Sequence, residues 1–248
     1  MVNIVRQTVT IVLGILTMVI SALYIVFWNF SIYSSYTGSA VYGLLYTRGI
    51  KNTVVATITS HAFQIAIVVL TIIGVKYFLD ACRSEKYQRM VSAGYVFMGI
   101  VSFLYLLGMF VTTFLFSRDN SMKKANTSYY MMIAFILLII YAIYKSFIVK
   151  EKAYSFMNIL LVAATVLSFL AGGVLRADAH YNIVGNDNYW AGKAVAVAIG
   201  ITQSMPFIFL CYFEIFYMPD RIKYQKKLEE FIKDNESDKQ DLKETANA

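Results

Sequence analysis

Six long apolar stretches constrain this chain more than any other feature of its sequence. A helix rises about 1.5 Å per residue, so about 20 residues cross a hydrocarbon core that is about 30 Å thick. Each stretch reaches that length, and the segments between them carry charges, glycine or asparagine. The predicted spans cover roughly residues 8–30, 53–79, 91–116, 128–149, 154–175 and 191–218.

These spans predict helices, because their side chains do not alternate in polarity as transmembrane strands do. Composition agrees: 58% of the residues are hydrophobic and 15% are charged, against about 25% charged in a soluble domain. We therefore expect an all-α polytopic membrane protein, with a six-transmembrane-helix bundle over residues 1–218. A soluble enzyme, a disordered chain and a disulfide scaffold are excluded by the same figures.

The basic residues predict the orientation of the bundle. Six crossings place both termini on one side, and with that side inside the cell the inner segments hold 12 basic residues against 7 in the outer segments. By the positive-inside rule we expect both termini in the cytoplasm, most simply at the plasma membrane. The net charge of +7 follows from this arrangement, so we expect a lipid bilayer as partner and no nucleic acid.

The last 30 residues, 219–248, form a charged cytoplasmic tail in this interpretation. We expect Pro219 to close the last span, and apolar residues such as Leu228 and Phe231 predict a short helix after it. Residues 234–248 contain almost nothing apolar, so we expect them to be disordered.

Motifs for catalysis and nucleotide binding, such as a phosphate-binding loop or a zinc-protease signature, do not occur in the sequence. Cys82 and Cys211 are too few for a disulfide framework, and both are read as unpaired thiols. We therefore expect no enzyme activity, no cofactor and no metal.

Polar side chains inside the spans are the candidate binding groups, because they are costly in hydrocarbon and normally face the bundle interior. Two lysines near span ends, Lys76 and Lys145, are expected instead to extend to the headgroups without a buried partner. The intramembrane candidates are His61, Gln64, Asn158, Thr202, Gln203, Ser204, Pro206 and Glu214.

The sixth span combines several of these candidates. Pro206 has no N–H, so the carbonyl of Thr202 loses its helical partner beside Gln203 and Ser204. Such interruptions occur at binding sites in transporters. The alternative is a kink that only shapes the packing.

Histidine and aspartate residues on the outer side leave further alternatives open. His61 suits a hydrogen bond to a neighbouring helix, a titrating switch or, together with His180, a haem. The polar segment 176–190 presents Asp178 and Asp187, which suit either a cation-binding rim or a solvated loop.

Two functional hypotheses fit this sequence. In the first, the bundle moves a small solute or ion along an interior path lined by these polar groups. In the second, the chain is an accessory or regulatory membrane protein that binds another membrane protein, or a second copy of itself, and transports nothing. A water-filled cavity between spans two, five and six would favour the first hypothesis, and a dry bundle the second.

Overall fold

A computed structural model describes residues 3–30, 53–83, 87–110, 122–148, 156–171 and 204–246, and side chains for a smaller set. Within that part of the chain the regular structure is entirely helical, which confirms the predicted class. The α-helices are α1 (Ile4–Phe30), α2 (Thr53–Arg83), α3 (Tyr87–Phe110), α4 (Met122–Ile143), α5 (Asn158–Phe169), α6 (residues 204–212) and α7 (Met218–Ala246). Two π-helical turns, Tyr144–Ile148 and Phe213–Tyr217, follow α4 and α6.

Four of the described helices are long and apolar enough to cross a bilayer, and they correspond to the first four predicted spans. These segments are Ile4–Leu23, Ile65–Arg83, Tyr87–Leu107 and Tyr129–Phe147. The fifth and sixth predicted spans extend beyond the described residues, where α5 and α6 cover only parts of them. The count of six spans therefore stays a prediction.

The outer surface of the bundle is apolar, as a lipid environment requires. On α1 the exposed side chains include Val12, Ile15 and Val19, which recur at the three- and four-residue spacing of one helix face. A continuous apolar face of this kind is rare on soluble monomers. On α4 the same spacing is shown by Ile133, Ile136, Ile140 and Ile143.

Long-range contacts gather several helix ends at one end of the bundle. The Arg6 guanidinium at the start of α1 lies 2.9 Å from the Asp220 carboxylate at the start of α7. The Tyr217 hydroxyl donates to the carbonyl of Cys82, near the end of α2. We call this the basic end, after its accessible cationic side chains Arg6, Lys76, Arg83, Arg89, Lys223, Lys226 and Lys227.

Aromatic side chains fill much of the interior near the basic end. The fully buried ring of Phe78 packs edge-on against Tyr95, Phe209 and Phe213, with ring centroids 5.0 to 5.8 Å apart. Sequential helices pack against each other from α1 to α5, and α1 also contacts the turn Phe213–Tyr217. The core thus ties the C-terminal helices to α2 and α3.

Pro219 does not end the helix, contrary to the sequence prediction. Helical backbone continues from residue 204 to 246, through the π-helical turn and into α7. Pro219 has no N–H, so one backbone hydrogen bond to the preceding turn is missing. The π-helical turn Phe213–Tyr217 directly precedes it, and the N–H of Met218 donates to the carbonyl of Phe213, five residues earlier.

The C-terminal helix is also longer than the short helix predicted. It runs for 29 residues to Ala246 and includes most of the segment that we expected to be disordered. Lysine, glutamate and glutamine favour helix even without an apolar face to bury, and the sequence interpretation gave this preference too little weight.

Candidate functional site

An ion pair between two helices lies inside the bundle near its basic end. Lys145 follows α4 and Glu214 follows α6, and the ammonium nitrogen Nζ lies 2.7 Å from the carboxylate Oε2. Lys145 is 8% exposed and Glu214 is 0% exposed. The prediction that Lys145 extends to the headgroups without a buried partner is therefore wrong, because its charge is paired inside the bundle.

Three further polar side chains surround this pair. The Tyr95 hydroxyl donates to the second carboxylate oxygen of Glu214 at 2.8 Å. The Tyr141 hydroxyl donates to Oδ1 of Asn158 at 2.7 Å, and the Lys145 ammonium lies 5.8 Å from the centre of the Tyr141 ring. We call these five residues the charged network, and its members come from α3, from α4 and its π-helical turn, from α5, and from the turn after α6.

Both charged residues lie in π-helical turns. Lys145 is the second residue of Tyr144–Ile148, and Glu214 is the second residue of Phe213–Tyr217. A π-helical turn holds one more residue than an α-helical turn of the same rise, and such turns recur at functional sites. Here two of them bring a cation and an anion together across the bundle.

Burying this pair is costly. The effective desolvation penalty is several kcal/mol per ion, which a single contact offsets only when the remaining polar atoms are also bonded. The two carboxylate oxygens of Glu214 each have a partner, Lys145 for one and Tyr95 for the other. A well-packed apolar pair would hold the helices together at less cost, so the charges suggest a role beyond packing.

A small cavity lies further into the bundle. Its volume is about 30 Å³, which is room for about two water molecules. The hydroxyl-bearing residues Ser21, Thr71 and Ser102 line it, as do Pro206 and Phe207 of α6. Among the residues that the structure describes, the others that line it are Val68, Met98, Val101, Tyr105, Phe135 and Leu138.

Two of the cavity hydroxyls use their protons within their own helices. Thr71 donates to the carbonyl of Ile67 at 2.8 Å, and Ser102 donates to the carbonyl of Met98 at 2.7 Å. A hydroxyl has one proton and two lone pairs, so each of these groups is left with lone pairs as its remaining hydrogen-bonding capacity.

The structure brings some predicted site residues together and separates others. Asn158 and Glu214 both belong to the charged network. Pro206 lines the cavity, and Ser204, the first described residue of α6, is fully buried. The two sets lie at different depths, so the sixth helix contributes to both the cavity and the network.

The other predicted site residues fall outside what the structure describes. His61 and Gln64 belong to α2, and the structure describes their backbone but not their side chains. The predictions of a histidine switch, of a haem and of an interrupted helix at Thr202 therefore stay predictions. The candidates that lie wholly outside the described residues are Thr202, Gln203, Asp178, His180 and Asp187.

Sequence reasoning missed three members of the charged network, Tyr95, Tyr141 and Lys145. One signal was available, because Glu214 is the only acidic residue within the six predicted spans. A buried carboxylate needs a cation, and Lys145 has a matching depth in the fourth span. The tyrosines carried no such signal, since 19 tyrosines are spread over the chain.

Comparison with known proteins adds no relative: no family model, no curated protein and no solved structure matches this chain.

Proposed function

We propose that this chain is a multi-pass integral membrane protein that moves a small solute or ion through its helix bundle. The observation that carries the proposal is the buried pair of Lys145 and Glu214. Ionisable residues inside a membrane are costly, and they commonly mark the path of a substrate or an ion. In this proposal the charged network closes the path near the basic end.

The position of the cavity supports a path that continues inward from the pair. On α3, Met98 and Ser102 of the cavity follow Tyr95 of the network by three and seven residues, which places all three on one helix face. A separation of seven residues corresponds to about 10 Å along a helix. The cavity and the charged network therefore lie one after the other along the interior of the bundle.

Two further segments carry a cavity residue and a network residue seven positions apart. On α4 the cavity residue Leu138 precedes Lys145, and Phe207 of α6 precedes Glu214. Along α3 the network residue comes first instead, as expected where helices run in opposite directions. The aromatic side chains between the two levels would have to move for a solute to pass.

The orientation and cellular location belong to the same proposal. The basic end carries seven accessible cationic side chains, which supports placing it in the cytoplasm, with both termini there. We further propose six spans, a position in the plasma membrane and no enzyme activity. The proposed partners are the lipid bilayer and, for assembly, another membrane protein or a second copy of the chain.

The alternative function is that of an accessory membrane protein that transports nothing. The dense aromatic packing around Phe78 favours it, because the charged network would then be a rigid connection between helices. In that case the exposed residues Leu228, Phe231 and Ile232 on α7 are candidates for contact with a partner.

Reconstitution into liposomes tests the transport proposal. We expect the purified protein to raise the flux of at least one of Na⁺, K⁺, chloride, urea or glycerol above that of empty liposomes. The informative variant is the double substitution Lys145→Met with Glu214→Gln, which removes both charges and leaves an acceptor for Tyr95. We expect the double variant to fold and its flux to be at least tenfold lower than that of the wild type.

The matched control is Asp220→Asn, which breaks the accessible pair with Arg6 at the same end of the bundle. We expect this control to keep the wild-type flux. Equal flux in the double variant and the wild type would mean that the pair only packs helices. Absence of flux for all five probes in the wild type would contradict transport and support the accessory function.

A further inference from the structure

The chemistry of the interior identifies a class of substrate. We infer that the transported species is a small monovalent cation, and that the Lys145 ammonium occupies its binding site on Glu214 in the described structure. The inference rests on the transport function proposed above, and it concerns which species the path through the bundle admits. Three observations support it: the bonding of the carboxylate, the lining of the cavity and the size of the cavity.

The bonding of Glu214 shows what can replace Lys145. The carboxylate is fully buried and its oxygens are bonded by the Tyr95 hydroxyl and by the Lys145 ammonium. Loss of the ammonium alone would leave a buried carboxylate without a counter-charge, which is strongly unfavourable. Any species that displaces Lys145 must therefore bring a positive charge of its own.

Lys145 is suited to such an exchange. Its ammonium group is a compact charge on a flexible four-carbon stem, so it can leave Glu214 without movement of the backbone. The residue lies in the turn that follows α4, close to the basic end. An arriving cation would thus release the lysine toward solvent, and departure of that cation would draw the lysine back.

The cavity favours the same sign of charge. Thr71 and Ser102 have donated their protons to Ile67 and Met98 carbonyls, so their lone pairs remain for a guest. Acceptor groups suit a cation or a hydrogen-bond donor, and they disfavour an anion. The thioether of Met98, which also lines the cavity, is likewise a weak acceptor.

The cavity volume sets the size of the cation. A space of about 30 Å³ holds about two water molecules. Na⁺, K⁺ and ammonium fit a space of that size, whereas choline is several times larger. The guest takes the place of the single positive charge of Lys145, so the inference is limited to inorganic monovalent cations and ammonium.

A binding measurement tests the exchange directly. The variant Lys145→Met keeps Glu214 but removes its tethered cation, so a free cation should stabilise it. We expect the thermal midpoint of this variant in detergent to rise by about 3 °C or more when choline chloride is replaced by NaCl, KCl or NH₄Cl at equal ionic strength. The wild type and the double variant Lys145→Met with Glu214→Gln should not respond.

The outcomes of this measurement separate the possibilities. A response of Lys145→Met that is absent in the double variant supports a cation site on Glu214. No response in a folded Lys145→Met variant, or an equal response in all three proteins, overturns the inference. If Lys145→Met does not fold in choline chloride, recovery of folding in one of the other salts supports the site, and failure in all of them counts against it.

Flux measurements separate this inference from the proposed function. Flux of a cation without flux of chloride or urea supports both. Flux of chloride or urea alone leaves transport intact but overturns the cation inference, and no flux at all removes the transport proposal. Within the cavity, Thr71→Val and Ser102→Ala should each lower cation flux at least threefold.

The matched control for these cavity substitutions is Thr17→Val. Thr17 is fully buried on α1 and donates to the carbonyl of Leu13 at 2.7 Å, but it is not part of the cavity lining described above. It should keep the wild-type flux. An equal loss in Thr17→Val and in the cavity variants would assign the effect to helix packing and overturn the role of the cavity.

Discussion

Lys145 and Glu214 are 69 residues apart in the chain, and their charged groups lie 2.7 Å apart within π-helical turns that follow two different helices. The contact joins the end of α4 to the segment between α6 and α7. Tyr95 of α3 also donates to Glu214, and Asn158 of α5 accepts from Tyr141 of α4. The stability of this end of the bundle should therefore depend on both charges together.

Removing one charge should destabilise the protein far more than removing both. Lys145→Met alone should lower the free energy of unfolding by about 3 kcal/mol, because the fully buried Glu214 carboxylate is left without a counter-charge. The double variant should recover most of that loss. Thermal or denaturant unfolding in detergent, analysed as a double-mutant cycle, measures the coupling between the two substitutions. Additive losses would show that the two groups do not depend on each other.

The accessible pair of Arg6 and Asp220 provides the comparison. Their side chains are 40% and 20% exposed, so solvent screens their attraction. Accessible ion pairs contribute about 0 to 1 kcal/mol. We expect Asp220→Asn to change the free energy of unfolding by less than about 1 kcal/mol in the same assay. A loss as large as that of Lys145→Met would mean that the contact between Arg6 and Asp220 contributes as much to stability as the buried pair does.

Two glycines on α3 should respond in opposite ways to alanine. A Cβ on Gly94 would lie 2.8 Å from the Phe78 ring, which three other aromatic rings already hold in place. We expect Gly94→Ala to cost about 1 to 3 kcal/mol through overpacking. A Cβ on Gly99 would lie 3.4 Å from the Cβ of Ala142, an ordinary contact.

Gly99→Ala should therefore be neutral or slightly stabilising, since alanine favours helix over glycine by about 1 kcal/mol. Unfolding of both variants in the same detergent makes the comparison. A loss in Gly99→Ala equal to that in Gly94→Ala would indicate that α3 and α4 pack more closely than the structure shows.

The helices could be predicted from the sequence because lipid imposes a length and an apolar surface on each of them. The span 128–149, for example, was predicted from its length and apolar composition alone. The corresponding helix, α4 with its π-helical turn, ends at Ile148. The pairing of helices could not be predicted in this way. The rotation of each helix about its own axis decides which side chains meet. The extra residue in each π-helical turn changes that rotation at the charged residues.

The candidate site was predicted only in part for the same reason. Glu214 and Asn158 stood out because each is polar within an apolar span. Lys145 was judged by its distance from the span end, which suggested the headgroups, whereas its helix face directs it to Glu214. Distance along a helix gives depth in the membrane, but the facing partner comes only from the packing of several helices.

The C-terminal half of α7 should be dispensable for the fold of the bundle. Residues 234–248 contain seven charged residues and almost nothing apolar, so they offer little surface to bury. We expect a chain that ends at Lys233 to insert and to elute as a single species in size-exclusion chromatography. Circular dichroism of the full chain and the shortened chain would then show whether this segment is helical in solution. Aggregation of the shortened chain would indicate that the segment packs against the bundle.

The orientation of the basic end can be tested with single cysteines. In a background with Cys82→Ala and Cys211→Ala, we expect a cysteine at Lys123 to react with an impermeant thiol reagent added to intact cells. A cysteine at Arg89, which is exposed at the start of α3, should react only after the cells are opened. The reason is the excess of basic residues at that end, which the positive-inside rule places in the cytoplasm. Labelling of the Arg89 position in intact cells, with protection of the Lys123 position, would reverse the orientation and place the charged network near the outer surface.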